Sequence, residues 1–505
     1  MEFLNHFGAV FTLSSMLILC AGTVGGLLLG ATPGLSPTMA VALLIPFTFH
    51  MEPAQGLMLL GAAYTSTVAG GAVSAILLNI PGAPANIATA LDGNAMAKKG
   101  KAAKALQICF ISSAIGGVIG IFILIFLTPI LARWALKFGP SHLFWVAILG
   151  VTIIGTLDSK SVVKGLLAGC IGLWIAMIGS DSIQGVERFI FVEQLEGGVH
   201  IIAALIGLFA IPQVIEMLQG GRKKQDLSVL DVKRDSVWRS AVETVSKLRA
   251  LIIGSISGIV VGLIPGAGGQ IAGLVAYDQS RRFSKNSEKY GTGESEGVVA
   301  AESANNAMVG PSLVPLLTLS VPGSPTAAVL LGGLLIHGIF PGPDLFQKHA
   351  AVAYAFINSM LIGQFLMLIF GLLIAGLAAK VIKISPPILA GAILVLSVFG
   401  AYSVQNSMAD VAIMMTLGVG MYFLARYGFS PAPLVLGIIL GPIAEHNYVQ
   451  GRILGEAQDG IAPYFLTGWL NIILITFVVL SVVFSVLSER KMKAKAALAA
   501  AARAS

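Results

Sequence analysis

The chain has 505 residues, of which 56% are hydrophobic and 11% are charged, and its formal net charge at pH 7 is +7. Because soluble domains carry about 25% charged residues, this composition excludes a soluble globular protein, and the recurring apolar stretches predict an all-α polytopic membrane protein. The basic side chains are not interleaved with aromatic ones, so no nucleic-acid partner is expected.

The first predicted element, residues 10–49, is an apolar run with a Pro-Gly dipeptide in GATPGLSPTMAV at 30–41. We predict a re-entrant hairpin that bends there, since irregular backbone is tolerated at membrane depth only when protein or a watery cavity surrounds it. A broken helix follows over 56–91, interrupted at LNIPGAPAN. Four further crossings complete a first repeat over 1–218, and they are predicted at 105–132, 142–157, 165–180 and 200–218.

The basic segment 219–249 links this repeat to a second one over 250–464. The second repeat begins with a hairpin over 250–277, which contains GLIPGAGGQIAG, and a broken helix over 296–336. A final span and a basic tail occupy 465–505, which makes about eleven crossings in addition to the two hairpins. The remaining crossings of the second repeat are predicted at 351–379, 387–403, 410–425 and 432–443.

The two repeats share their turn signals at nearly constant offsets. Both hairpins read G-x3-G-x3-G-x2-P-G when the chain is shifted by 232 residues. At a shift of 241 residues, LNIPGAPAN at 78–86 falls on LSVPGSPTA at 319–327, and at 230 a G-x4-P pattern recurs. Three matches in the same order indicate an internal duplication.

The basic residues indicate that the repeats have opposite orientations. Residues 50–55 carry no Lys or Arg, whereas the corresponding loop, 278–295, carries four. Conversely, 92–104 is basic and its counterpart, 337–350, has Lys348 alone. By the positive-inside rule, the basic loops and the linker are expected on the cytoplasmic side.

Paired broken elements in inverted repeats are typical of the binding site of a secondary transporter. A half-helix that starts near the midplane offers free N–H groups and a positive dipole end to an anion, and unwound carbonyls can hold a cation. The alternative is that Pro-Gly only kinks a packed helix and that G-x3-G serves helix packing.

Several long motifs are specific, among them GATPGLSPTMAVALLIPFTF, AILLNIPGAPANIATALDGNAMAKKG, GLIPGAGGQIAGLVAY and GIILGPIAEHNY. In these motifs, and over almost its whole length, the chain resembles the large membrane subunit of the tripartite tricarboxylate transporter family. The resemblance implies a permease of the bacterial inner membrane that works with a small membrane subunit of about four helices and a periplasmic solute-binding protein. It implies uptake of tri- or dicarboxylates driven by a gradient of Na+ or H+, with no other cofactor. Whether the protein forms a homodimer stays open.

Residues beside the breaks are the predicted substrate and ion ligands. Hydroxyls, an amide and bare backbone after each hairpin bend can face a carboxylate, although N-capping of the next helix is an alternative. Small residues at the second pair of breaks let backbone approach a ligand, with packing as the alternative. The first set is Gly34, Ser36, Pro37, Thr38, Gly266, Gly268, Gly269 and Gln270, and the second is Asn79, Gly82, Ala83, Asn86, Ser320, Gly323 and Ser324.

A third candidate group is Glu302 with Asn305 and Asn306, which share one face at helical spacing. A carboxylate inside a span is costly, and a functional role is its default interpretation. We predict that Glu302 coordinates the coupling cation or carries a proton, with a Na+ site near Glu302, Asn305 and the Pro-Gly breaks. The alternative is that 294–302 lies in a wet loop and Glu302 only starts a helix.

No enzyme signature is present: the chain lacks G-x4-G-K-[ST], H-E-x-x-H and G-x-S-x-G, so neither ATP hydrolysis nor another enzymatic reaction is expected. An organic-anion channel without cation coupling is the rival function, because a channel would also use aligned half-helices. Dependence of uptake on a binding protein and on a cation gradient separates the two.

Overall fold

The computed structural model describes residues 6–157, 161–180, 185–219, 235–264, 271–342, 345–381, 385–458 and 460–504. Most of this is α-helix, and the described residues contain a single two-stranded antiparallel sheet, in which β1 (Gly179–Ser180) pairs with β2 (Glu187–Arg188). The predicted all-α class is confirmed.

The helices preceding the basic linker are α1 Leu13–Ala31, α2 Pro37–Thr48, α3 Pro53–Leu78, α4 Ile87–Lys98, α5 Ala102–Ala135, α6 Pro140–Leu157, α7 Val162–Ala176 and α8 Ile201–Gln219. Within the linker lies α9 Val237–Ser246, and from its end onward the helices are α10 Leu248–Leu263, α11 Ala272–Phe283, α12 Ser295–Ala307, α13 Val309–Leu319, α14 Pro325–Ile336, α15 Leu345–Lys348, α16 Ala350–Val381, α17 Pro386–Gln405, α18 Met408–Arg426, α19 Pro431–Glu456, α20 Ile461–Leu466 and α21 Trp469–Ala504.

Eight helices in the described part of the chain are long and apolar enough to cross a membrane, and α9 with α10 adds a ninth if that bent pair is one span. Shorter apolar helices, such as α2 and α14, come in addition. The protein is therefore a multi-pass membrane protein, while the count of eleven crossings stays a prediction. Helix α3 is buried along almost its whole length and packs against α1 and α16, so it lies at the centre of the fold.

The chain bends at three of the four predicted Pro-Gly breaks, and the fourth, at residues 265–266, lies outside the described residues. Helix α1 ends at Ala31. Gly34, three residues later, has a φ of +87°, a left-handed conformation that glycine adopts without a steric cost. The cap residue that follows α3 is Asn79 (φ 57°), and the one that follows α13 is Ser320 (φ 61°). The amides of Gly82 and Gly323 then each bond to the carbonyl of the residue eleven positions earlier. The backbone therefore adopts the same geometry at two points 241 residues apart.

The glycines of the G-x3-G pattern lie at helix crossings. A Cβ on Gly22 of α1 would stand 2.7 Å from the carbonyl oxygen of Leu59, and one on Gly254 of α10 would stand 2.6 Å from that of Ala300. Only glycine allows the helices to approach this closely. For these glycines the structure favours the packing alternative. The two carbonyl groups that they face, those of Leu59 and Ala300, are themselves 241 residues apart.

Candidate functional site

Four helix starts converge on one cavity with a volume of about 380 Å³. They are the starts of α2, of α14, of α19 and of a 3-10 turn at Pro84–Asn86 that leads into α4. Each has proline in its first turn, where the missing N–H costs nothing and the fixed φ suits a helix. The first turn of a helix carries backbone N–H groups that have no partner within that helix, and residues of four such turns line the cavity. The lining includes Ser36, Pro37, Thr38, Ala83, Pro84, Ala85, Asn86, Pro325, Thr326, Ser430, Pro431 and Ala432.

The starts of α2 and α14 touch each other at the wall of the cavity. The hydroxyl oxygens of Thr38 and Thr326 are 3.0 Å apart and share a hydrogen bond. Ser36 accepts a hydrogen bond from the amide three residues on, and Ser324 does the same in α14. The two serines are thus N-caps. For Ser36 this is the alternative that the sequence left open, although Ser36 also lines the cavity.

Tyr64 of α3 closes another side of the cavity, and sequence reasoning did not select it. Its hydroxyl oxygen lies 3.0 Å from Oγ of Ser324 and 3.2 Å from Oγ of Ser312. The side chain is almost completely buried, and a buried tyrosine hydroxyl usually finds a partner. The available signal was the polar stretch Tyr64-Thr65-Ser66-Thr67 in the middle of a helix that is long enough to span a membrane.

The remaining break residues differ in their position relative to the cavity. Asn86 lines it and donates its Nδ2 to the carbonyl of Val68 at 3.4 Å. Asn79 and Ser320 are left-handed helix ends that do not line it. Three glycines pack against protein atoms: Gly34 against Gln213, Gly82 against Gly30, and Gly323 against Ser312. Gly266, Gly268, Gly269 and Gln270 lie outside the described residues.

Glu302 lies inside α12 and is 0% exposed, so it does not start a helix in a wet loop. Its carboxylate accepts hydrogen bonds from Ser113 Oγ at 2.9 Å, from Asn305 Nδ2 at 3.3 Å and from Thr89 Oγ1. These donors are hydroxyl and amide groups, and no Lys, Arg or His is among its described partners. The acid is therefore held by neutral dipoles from three helices.

A short hydrogen-bonded path joins this acid to the cavity. Asn305 also donates to the carbonyl of Ala85 at 3.2 Å, and Ala85 lines the cavity. Oδ1 of Asn305 and both polar side-chain atoms of Asn306 are buried and have no partner among the described residues. Oxygen atoms of this kind suit Na+, a hard cation, by analogy with Ca2+ and Mg2+. No cluster of three His, Cys, Asp or Glu occurs in the described part of the chain.

Two polar residues of α8 complete the lining, and sequence reasoning missed both. Gln213 and Glu216 face the cavity close to the end of α8, where the basic linker begins. Glu216 is exposed, so its carboxylate can be hydrated at the rim of the cavity. These two residues line the cavity because the end of α8 lies beside the breaks, and no local sequence motif predicts that packing.

Comparison with known proteins places these features in a family. A family model described as the tripartite tricarboxylate transporter TctA family matches residues 16–436. Among curated proteins, the chain is 35% identical over 448 residues to the "uncharacterized 52.8 kDa protein in TAR-I ttuC' 3'region" of Agrobacterium vitis, covering 88% of each chain. It is 38% identical over 210 residues to the "uncharacterized protein in TAR-II ttuC' 3'region" of Agrobacterium vitis, covering 42% of this chain and 86% of the other. No solved structure matches.

Proposed function

The chain belongs to the tripartite tricarboxylate transporter TctA family, and we propose that it is the permease subunit that imports tri- or dicarboxylates together with a coupling cation. This is a family of transporters and not of enzymes. Its three-part organisation implies a small membrane subunit and a periplasmic binding protein as partners. The proposal also includes about four helices in the small subunit, a location of the permease in the inner membrane, and a homodimer of the permease.

The cavity with its four helix starts is the observation that carries the proposed substrate class. Backbone N–H groups and positive dipole ends favour an anion, and the hydroxyls of Thr38 and Thr326 add donors beside them. Among the residues that the structure describes, no lysine or arginine lines the cavity, so within this part of the chain dipoles would bind the anion. A volume of about 380 Å³ falls within the range of small-molecule sites.

The proposed architecture is a pair of inverted repeats over 1–218 and 250–464, with 219–249 as a cytoplasmic linker and 465–505 as a final span and tail. Recurrence of the left-handed helix ends, the turn hydrogen bonds and the glycine crossings supports a duplication. The alternating charge of corresponding loops supports opposite orientations. Substrate sites of such transporters lie where the repeats meet, which agrees with the contact between α2 and α14.

Glu302 is the proposed site of cation coupling. It is buried among neutral donors, so a proton or a Na+ ion would compensate its charge. The path through Asn305 to Ala85 gives the charge state of Glu302 a direct route to the cavity wall. Binding of the cation would then change the position of the turn that presents Asn86 to the substrate.

The coupling test is uptake of labelled di- and tricarboxylates into proteoliposomes that contain the permease and its small subunit, with the binding protein outside. We expect Glu302→Gln to abolish accumulation against a gradient while the two membrane subunits still co-purify. Glu456→Gln, at an exposed helix end, is the control and should accumulate normally. Accumulation by Glu302→Gln with the wild-type cation dependence would refute the coupling role, and wild-type uptake without any cation gradient would favour the channel.

The substrate test is binding of the same carboxylates to the purified permease. Thr326→Val should weaken binding by about tenfold or more, the equivalent of one hydrogen bond to a charged group. Thr152→Val is the matched control, because its hydroxyl bonds to its own helix at 2.7 Å and lies outside the cavity. Equal affinities for the two variants would place the site elsewhere.

A further inference from the structure

Helix α9 is amphipathic, and its apolar face is the one that points away from the protein. Trp238 is 77% exposed, and Val242 and Val245 on the same face are more than half exposed. Ser240 and Thr244, on the opposite face, are completely buried. A helix whose apolar face is left open lies in the boundary between headgroups and acyl chains, where tryptophan is also enriched.

The orientation of α9 is fixed by its neighbours. Its axis makes an angle of 74° with that of α10, so the helix lies roughly across the span that follows it. Ser240 Oγ donates to Gln107 Oε1 of α5 at 2.7 Å, and the Lys104 ammonium lies 2.5 Å from the Glu243 carboxylate. The bend between α9 and α10, at Lys247, is therefore held against α5.

A second cavity of about 230 Å³ opens beside this bend. Lys247 is 3.2 Å from both Glu294 and Glu296, so its charge is compensated. Arg249 and Lys285 form no ion pair with an acid in the described ranges. Three basic and two acidic side chains therefore meet beside the bend, and the group carries a net positive charge. The cavity is lined by Ser246, Lys247, Arg249, Ala250, Ser280, Ser284, Lys285, Asn286 and Glu296.

An apolar stripe leads away from the cavity along α10. Leu248, Ile252, Ile256 and Val260 follow one another at intervals of four residues, and about half or more of each side chain is exposed. Exposed apolar side chains therefore occur on both helices that meet at the bend, on α9 and along α10. A lipid molecule can place its charged group at the cavity and its acyl chain along α10 at the same time.

We propose that the bend between α9 and α10 is a binding site for an anionic phospholipid of the cytoplasmic leaflet. Arg249 and Lys285 bind its phosphate, and Leu248, Ile252 and Ile256 contact an acyl chain. Basic side chains near the surface attract anionic lipid, and the cavity gives these two a defined place to do so. The site is separate from the substrate cavity, so it does not depend on the proposed transport function.

The test uses the full-length protein purified in a neutral detergent, with dioleoyl phosphatidylglycerol, the corresponding phosphatidylcholine or inorganic phosphate added. Retained lipid is counted by native mass spectrometry, and the melting temperature is measured in parallel. We expect phosphatidylglycerol to be retained and to raise the melting temperature. Arg249→Gln combined with Lys285→Gln should weaken its binding by about thirtyfold.

Arg239→Gln combined with Lys289→Gln is the matched control, because both residues are exposed and lie outside the cavity. It removes the same charge and should keep the lipid. Arg249→Lys combined with Lys285→Arg preserves charge and should bind too, which guards against a folding defect. If both double Gln variants lose phosphatidylglycerol binding to the same extent, the binding depends only on overall positive charge and the proposal is overturned. Equal stabilisation by phosphatidylcholine or by phosphate alone would also overturn it.

Discussion

Replacing Gly26 by alanine tests whether the glycines of α1 hold the scaffold of the substrate cavity together. A Cβ at this position would stand 2.7 Å from the carbonyl oxygen of Ala63 and 2.9 Å from its Cα, with Ser66 Oγ closer still. The first two are backbone atoms of α3, which cannot rotate away. The helices would have to separate, and that would disturb the break that α1 leads into.

The neighbouring glycine provides an internal control. A Cβ at Gly25 would meet nothing within 4 Å, so Gly25→Ala keeps the packing and gains up to about 1 kcal/mol of helix propensity. Gly26→Ala gains the same propensity but adds overpacking that costs about 1–3 kcal/mol. The clash is with backbone, which favours the upper part of that range. We therefore expect the two variants to differ by about 2–3 kcal/mol in the free energy of unfolding.

The assay is unfolding of the purified protein by a denaturing detergent, followed by tryptophan fluorescence, with substrate binding measured on the same samples. Gly26→Ala should unfold at a lower detergent fraction than the wild type, and Gly25→Ala at an equal or higher one. If both variants unfold together, the contact between α1 and α3 contributes little, and the reasoning from glycine packing is refuted.

Three further predictions follow from other parts of the chain. Asp92 is buried and accepts hydrogen bonds from three backbone amides just before or at the start of α12. Because hydrogen bonds to a charged acceptor are stronger than those to a neutral one, Asp92→Asn should lower the free energy of unfolding by about 2–4 kcal/mol. An unchanged unfolding midpoint would contradict this. A cysteine at Gln55 should react with an impermeant reagent in intact cells and one at Lys224 only after permeabilisation, and the reverse would overturn the inverted orientation. Burial raises the pKa of Tyr290, in the loop before α12, to about 12. Its stabilising contribution is therefore complete below pH 10 and is lost as the pH rises through about 12. Tyr290→Phe should reduce the fall in the free energy of unfolding over this pH range, and an unaltered fall would show that other groups cause it.

The sequence predicted the class of the fold and the places where the chain bends, because both depend on local signals. Long apolar runs specify membrane helices, and Pro-Gly specifies a turn wherever it occurs. Gly34 and the turns at Gly82 and Gly323 adopt irregular backbone as expected. The number of crossings could not be read as securely, since several apolar helices, such as α2 and α14, are shorter than a bilayer is thick.

The composition of the cavity was predicted only in part, for a different physical reason. Ser36, Thr38 and Asn86 were selected because they adjoin breaks, and they line the cavity. Tyr64, Thr326 and the start of α19 were missed, because their position depends on which helices cross and not on any local pattern. Small residues at breaks serve two purposes, and the sequence does not distinguish Gly82, which packs on protein, from Ala83, which faces the cavity.

The duplicated backbone carries unequal chemistry in its two parts. At the shift of 241 residues, Glu302 corresponds to Gly61 and Asn305 corresponds to Tyr64. A side chain at Gly61 would meet the ring of Phe356 at 2.7 Å, so the position equivalent to Glu302 has no room for an acid. Tyr64 instead places its hydroxyl against Ser324, at the start of α14. On the proposed mechanism, both broken helices contribute to the wall of the substrate cavity, but only the second supplies the cation-binding acid. The corresponding position of the first is a glycine at a helix crossing.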